Sequence, residues 1–277
     1  INEILSFNKT NHINNYQDIL KNKSIGLIFE NYSTRTRISF KVAISQMGGN
    51  SIDINFNELN IKRSESFEDT FKTLSLYLDC IVYRTDNHKK LDLASKIFNK
   101  PLINALSDIS HPCQILSDLF TLKEHFGQIE NITISWFGDL NNVLFSLIEA
   151  CIKLDNFRLN IFTDESIYKK FSYPKHKNIK FYFDINDEIL SKTDCIMTDV
   201  FFSMNDEYSK KNILNKFQVN ENIMGLCKPN TVFMHCLPAN INEEVSKKVF
   251  DSQNSIVWKQ AENRMYIQKN ILKILLK

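Results

Sequence analysis

Apolar residues along this chain fall in short β-type runs that alternate with longer stretches of helical periodicity. The runs Ile25–Phe29, Cys80–Tyr83, Pro101–Asn104, Ile132–Phe137, Arg158–Phe162, Lys180–Phe183, Cys195–Val200 and Thr231–His235 predict strands. Helical spacing predicts helices over Ile38–Met47, Phe67–Leu78, Leu91–Phe98, Pro112–Phe126, Val143–Leu154 and Asp187–Ser191, with a last one from Ala261. Strand–helix alternation of this kind predicts α/β architecture, parallel sheets with helices on both faces. Gly127 is a natural helix stop, and the polar Gln128-Ile129-Glu130-Asn131 stretch behind it marks a domain boundary. The expected domains are therefore 1–129 and 130–260, followed by the helix 261–277. At 277 residues the chain has room for two such domains.

Composition narrows the functional classes. A net charge of +2 gives no reason to expect nucleic acid or a membrane surface as partner. No apolar run reaches the ~20 residues of a membrane span, and Ile1–Leu5 lacks a signal-peptide pattern. Cysteines 80, 113, 151, 195, 227 and 236 form no CxxC pair, so a cytoplasmic protein without metal or disulfides is expected. The 34 basic residues include only six Arg, at 35, 37, 63, 84, 158 and 264. In a chain that uses Lys for generic charge, those Arg mark places where a planar, five-donor fork matters.

Four of the six lie in candidate motifs. Ser33-Thr34-Arg35-Thr36-Arg37 follows a strand and opens a helix with Ile38, Val42 and Met47 on its expected apolar side. A helix start with unpaired N–H groups, hydroxyls and Arg suits a phosphate. The same residues also fit a plain Ser/Thr cap with surface Arg; a P-loop is excluded because its glycines and Lys are missing. Arg84 ends a strand and could reach the same anion. In His111-Pro112-Cys113-Gln114, Pro112 is a natural first helical residue, which puts His111 at the positive helix end. That environment favours a neutral imidazole able to donate to a carbonyl oxygen. Gln114 adds an acceptor and a donor.

In the second half, Trp136-Phe137-Gly138-Asp139 has one glycine where a dinucleotide site needs three, so no nucleotide cofactor is expected. Asn141 and Asn142 can hydrogen-bond a zwitterion, and Asp199, four residues before Ser203-Met204, can pair with an ammonium group. Cys236, in His235-Cys236-Leu237-Pro238, fits a buried inert thiol, the usual case for a free cysteine. Leu237-Pro238 is a candidate cis peptide. Glu262-Asn263-Arg264-Met265 is expected to open the last helix.

Together these segments resemble the transcarbamylase family over nearly the whole chain. Ser-Thr-Arg-Thr-Arg and His-Pro-Cys-Gln mark the family, and Asp199…Ser203-Met204 with His-Cys-Leu-Pro points to its ornithine-specific members. The resemblance implies two doubly wound parallel-sheet domains, one for carbamoyl phosphate and one for the amino acid, with the C-terminal helix returning to the first. It implies carbamoyl transfer to the δ-amine of L-ornithine, giving citrulline and phosphate, without cofactor or metal. Ser33, Thr34, Arg35 and Thr36 would grip the phosphate; Arg84 would bridge it and the carbonyl, which His111 polarises. Gln114 and the Leu237 carbonyl would hold the carbamoyl NH2, with Arg264 near its oxygen. Asn142, Asp199, Ser203 and Met204 would hold ornithine, with Cys236 near the attacking amine. The family assembles as trimers, or assemblies of trimers, with sites at subunit interfaces. Asn60 aligns where a Gln donated to the neighbouring subunit is usual, Lys62 where Gly is common, and Asn205 where Gly follows Ser-Met; the N-terminal helical region is short. Rival readings are transfer to putrescine, N-acetylornithine or aspartate, and a catalytically silent binding subunit.

Overall fold

The computed structural model describes residues 1–7, 9, 16–62, 64–201 and 209–277. Ser203, Met204 and Asn205 lie outside that set. The chain divides into two compact units, Ile1–Phe120 with Glu262–Lys277, and Thr121–Ala261.

The first unit contains, in chain order, α1 (Asn2–Leu5), β1 (Ser24–Phe29), α2 (Thr34–Gln46), β2 (Asn50–Ile54), α3 (Phe67–Tyr77), β3 (Cys80–Arg84), α4 (His88–Ile97), β4 (Leu102–Leu106) and the start of α5 (Pro112–Phe126). Its sheet is parallel with order β2-β1-β3-β4. Ile28, Phe71, Ile81, Tyr83, Ala94 and Phe98 form the core between the sheet and helices α3 and α4. The chain leaves β1 toward β2 on one side and β3 lies on the other, so a crevice opens at their carboxyl ends, where ligands of such sheets bind. Phe29 pairs with Arg84 in register there.

The second unit continues with β5 (Thr133–Phe137), α6 (Asn142–Leu154), β6 (Arg158–Phe162), α7 (Glu165–Tyr168), β7 (Ile179–Tyr182), α8 (Asp187–Leu190), β8 (Cys195–Thr198), α9 (Ser209–Leu214), α10 (Glu221–Gly225), β9 (Val232–His235) and α11 (Lys247–Phe250). Its parallel sheet runs β7-β6-β5-β8-β9, with the switch point between β5 and β8. Gly138 follows β5 at φ 110, and a Cβ there would run into the Phe201 ring, so the backbone conformation and the close approach both favour glycine. The last helix is α12 (Val257–Leu276). Both α/β units with parallel sheets and the C-terminal helix agree with the expected fold class.

Several expectations need correction. Helix α2 starts at Thr34 rather than Ile38 and buries Thr36, Phe40, Ala43 and Ile44; its cap residue Met47 is buried as expected, whereas Ile38 is 48% and Val42 36% exposed. Its face is turned because Thr36 points inward to a polar partner, which apolar spacing does not register. Strand β2 was not expected: Asn50-Ser-Ile-Asp-Ile is a half-exposed sheet edge without a continuous apolar run. Helix α12 begins at Val257, so Arg264 sits in its third turn and not at its opening.

Candidate active site

Ser33 occupies the cap position of α2 in extended conformation, yet its hydroxyl makes no cap bond. It accepts from Arg84 Nη1 at 3.1 Å instead. The plain-cap reading of this turn therefore fails at Ser33. Thr34 and Arg35 are exposed, while Thr36 is turned inward and buried. Arg264 reaches the same turn from α12: Nη2 donates to Thr36 Oγ1 at 2.8 Å, and Nη1 donates to Gln114 Oε1. The other end of the Gln114 amide donates to the buried Asp118 carboxylate at 2.7 Å, which fixes which way the amide faces. Residues from α2, β3, α5 and α12 thus meet in the first unit.

The electrostatics of this cluster favour an anion. Burial lowers the Arg84 pKa, and the charges of Arg264 and Arg35 lower it further, while Asp86 opposes them. Arg84 Nε is buried with no hydrogen-bond partner among the described residues. His111 is held well below its usual pKa of 6.5 by burial first, then by Arg264 and Arg84. It is a neutral imidazole at pH 7, for reasons of desolvation and neighbouring cations rather than of helix position alone. Cations that depress each other's pKa are stabilised by a negative charge brought among them.

The second unit gathers a smaller set at the switch point. Asn141 caps α6, its Oδ1 accepting from the N–H groups of Val143 and Leu144 at 3.1 Å each, and its Nδ2 donates to Asp199 Oδ2 at 2.8 Å. The Cys236 thiol donates to Asp199 Oδ1 at 2.9 Å. Asp199 is 9% exposed and lies just past β8. The Leu237–Pro238 peptide is cis, and Leu237 has φ 60. Its N–H donates to His235 Nδ1 at 2.8 Å, so His235 carries its proton on Nε2 and donates to the buried Glu244 at 3.1 Å. Asp199, His235 and Cys236 place ligand atoms within 4.8 Å of one another. Both His235 nitrogens and the thiol are engaged in the bonds just described, so a metal would have to displace them.

Of the residues singled out from sequence, Ser33, Thr36, Arg84, Gln114 and Arg264 are brought together directly, with Thr34, Arg35 and His111 on the same elements. Asp199 and Cys236 meet in the second unit, with Leu237 next in the chain. Asn142 begins α6 and is half-buried. Ser203 and Met204 fall outside the described residues. Asn60 is exposed in a 3₁₀ turn, Asn60–Lys62. Sequence reasoning gave Asn141 no role in orienting Asp199, and it missed Glu244 and Asp118 altogether. Asn141 carried a signal, an Asn directly before an apolar helix; nothing local marks the other two.

Two family models match. Residues 1–124 match the carbamoyl-P binding domain of aspartate/ornithine carbamoyltransferase, and residues 130–275 its Asp/Orn binding domain. A protein of Brucella abortus named ornithine carbamoyltransferase is 42% identical over 261 residues, covering 90% of this chain and 82% of that one. One of Mesorhizobium japonicum with the same name is 40% identical over 259 residues, covering 91% and 85%. Among solved structures, the ornithine carbamoyltransferase of Pyrococcus furiosus superposes with a TM-score of 0.89 at 36% identity, covering 99% of this chain and 92% of that one. That of Thermus thermophilus gives 0.87 at 32%, covering 100% and 94%. Among the described residues, no helix is long and apolar enough to cross a membrane.

Proposed function

The chain belongs to the aspartate/ornithine carbamoyltransferase family, and from that membership we propose that it transfers the carbamoyl group of carbamoyl phosphate to the δ-amine of L-ornithine. The observation that carries the reading is the cluster in which Arg84 and Arg264, two of the chain's few guanidiniums, converge on Ser33, Thr36 and Gln114 beside a neutral His111.

In this reading the α2 turn at Ser33–Thr36 holds the phosphate through backbone N–H groups, hydroxyls and Arg35. Arg84 spans phosphate and carbonyl. His111 donates a hydrogen bond to the carbonyl oxygen; a neutral donor binds the uncharged ground state and strengthens as the oxygen becomes an oxyanion. Arg264 stabilises that charge while Gln114 and the Leu237 carbonyl hold the carbamoyl NH2. On the amino-acid side Asp199 pairs with the α-ammonium group, assisted by Asn142, and we assign the α-carboxylate to the segment containing Ser203 and Met204. The δ-nitrogen attacks the carbonyl carbon, the tetrahedral intermediate expels phosphate with the C–O bond pair, and the phosphate takes the amine proton. Cys236 orients the amine, since its thiol proton is directed at Asp199. Rate enhancement comes from positioning and electrostatics.

We also assign a homotrimer, with Asn60 directed to the neighbouring copy's phosphate site. The exposed apolar residues Ile38 and Val42 on α2 and Ile52 on the edge strand β2 support a covered face.

A substrate panel tests the assignment. Purified protein with carbamoyl phosphate is expected to form citrulline from ornithine and little product from putrescine, N-acetylornithine or aspartate. Equal turnover of putrescine would sink the ornithine reading, and no turnover with any amine would favour a silent binding subunit.

A further inference from the structure

The second unit carries a polar patch that carbamoyl transfer does not use. Strands of a parallel sheet covered on both faces ordinarily read as near-continuous apolar runs. β6 alternates instead, with Arg158, Asn160 and Phe162 on one face and Leu159 and Ile161 on the other. The register sets Thr133 of β5 opposite Arg158, and Lys180 of β7 opposite Asn160. Thr133, Arg158, Asn160, Lys180 and Tyr182 therefore share one face beside β7, the sheet edge. Thr133 and Arg158 open their strands, so the patch lies toward the amino-terminal ends, whereas Asn141, Asp199 and Cys236 follow the carboxyl ends of theirs. Only the one-turn helix α8 lies between β7 and β8. A cavity of about 420 Å³ remains, lined by Arg158, Asn160, Asn178, Lys180, Tyr182 and Lys192 among others.

Three observations make this cavity a site. Arg158 and Lys180 form no ion pair or side-chain hydrogen bond among the described residues, while Lys192 pairs with Glu188 and Lys177 with Asp155, at 2.7 Å each. The excess charge is therefore positive and concentrated on the two residues that face the cavity. Asn160 is only 8% exposed, yet its side-chain amide has no hydrogen-bond partner among the described residues. The amide atoms reach the cavity rather than being sealed from it, so they are available to hydrogen-bond a ligand oxygen. Finally, Arg158 is one of the chain's six Arg and stands outside the segments assigned to carbamoyl transfer.

We propose that this cavity binds a small multivalent oxyanion, a phosphate ester or a polycarboxylate. The Arg158 fork takes two oxygens of one group, Lys180 neutralises the remaining charge, and the amide nitrogen of Asn160 donates from the cavity floor. The proposal does not rest on the catalytic reading, and its test reads binding rather than turnover.

Isothermal titration of the full chain carrying Arg35→Gln, which removes the phosphate cradle's fork, is run at constant ionic strength with inorganic pyrophosphate and with citrate. The expected result is a site weakened about tenfold or more by Arg158→Gln and again by Lys180→Gln, each a loss of one charge-assisted contact, beside any residual binding at the cradle, which neither substitution touches. Both side chains are exposed, so neither substitution threatens folding. Tighter pyrophosphate than citrate identifies a phosphate ester, and the reverse a polycarboxylate; either supports the site. Affinity indifferent to both substitutions overturns the proposal. So does absence of binding at millimolar concentrations of both probes, or capture of an RNA oligonucleotide that neither probe displaces.

Discussion

Arg264 Nη2 donates to Thr36 Oγ1 at 2.8 Å, a bond between residues 228 positions apart that ties the C-terminal helix to the turn after the first strand. Both residues are nearly fully buried, at 5% and 2% exposure, and Nη1 of the same guanidinium is committed to Gln114. A Lys at 264 can reach one of these partners but not both in the planar geometry. Arg264→Lys is expected to lower kcat/KM by roughly 10²- to 10³-fold, the scale of losing one oxyanion donor. Steady-state kinetics with ornithine saturating will measure it; an effect under threefold removes Arg264 from the proposed machinery.

Arg35 is exposed on the first turn of α2, and its charge is felt at Arg84. Arg35→Lys retains the charge and loses the fork. We expect KM for carbamoyl phosphate to rise about tenfold or more, a loss of one charge-assisted bond, with KM for ornithine little changed. Unchanged carbamoyl phosphate affinity would refute the role given to this turn.

Asn141 does two things at once, capping α6 and orienting Asp199. Asn141→Ala is expected to cost about 1 kcal/mol of stability and to raise KM for ornithine. Asn141→Ser keeps the cap oxygen without reaching Asp199, so it should restore stability and leave KM raised. Recovery of both together in the Ser variant would show that the cap alone matters.

His111 gives stability a pH dependence whose sign follows from its depressed pKa. In the unfolded chain it titrates near 6.5; in the fold it stays neutral to much lower pH. Below about pH 6.5 the unfolded chain therefore binds a proton that the folded one does not, and acidification favours unfolding. The contribution is complete above the unfolded value and is lost as pH falls toward the folded one. Thermal melts between about pH 7.5 and 5 should show Tm falling on acidification, with a shallower fall in His111→Asn. Equal slopes in the two proteins would mean that His111 is not held neutral.

Much of this protein was legible in the chain itself. Runs rich in apolar residues located every strand but β2, an exposed edge whose polar residues break the run. Pro112 and Gly127 bracketed α5 because their backbone preferences act locally. The scarcity of Arg picked out Arg84 and Arg264 before any contact was known. Apolar spacing misjudged α2, where Ile38 is exposed and Thr36 buried, because burial there is decided by a polar partner near the far end of the chain.

The same division runs through the Ser33–Arg37 turn. That a strand ends there in hydroxyls and Arg at a helix start is written locally, since nearby sterics and capping chemistry suffice to dictate it. That Ser33 turns to Arg84, that Thr36 and Gln114 share Arg264, and that His111 stays neutral is set by the packed fold. Those relations depend on desolvation and on contacts between distant segments, and both exist only once the chain has packed.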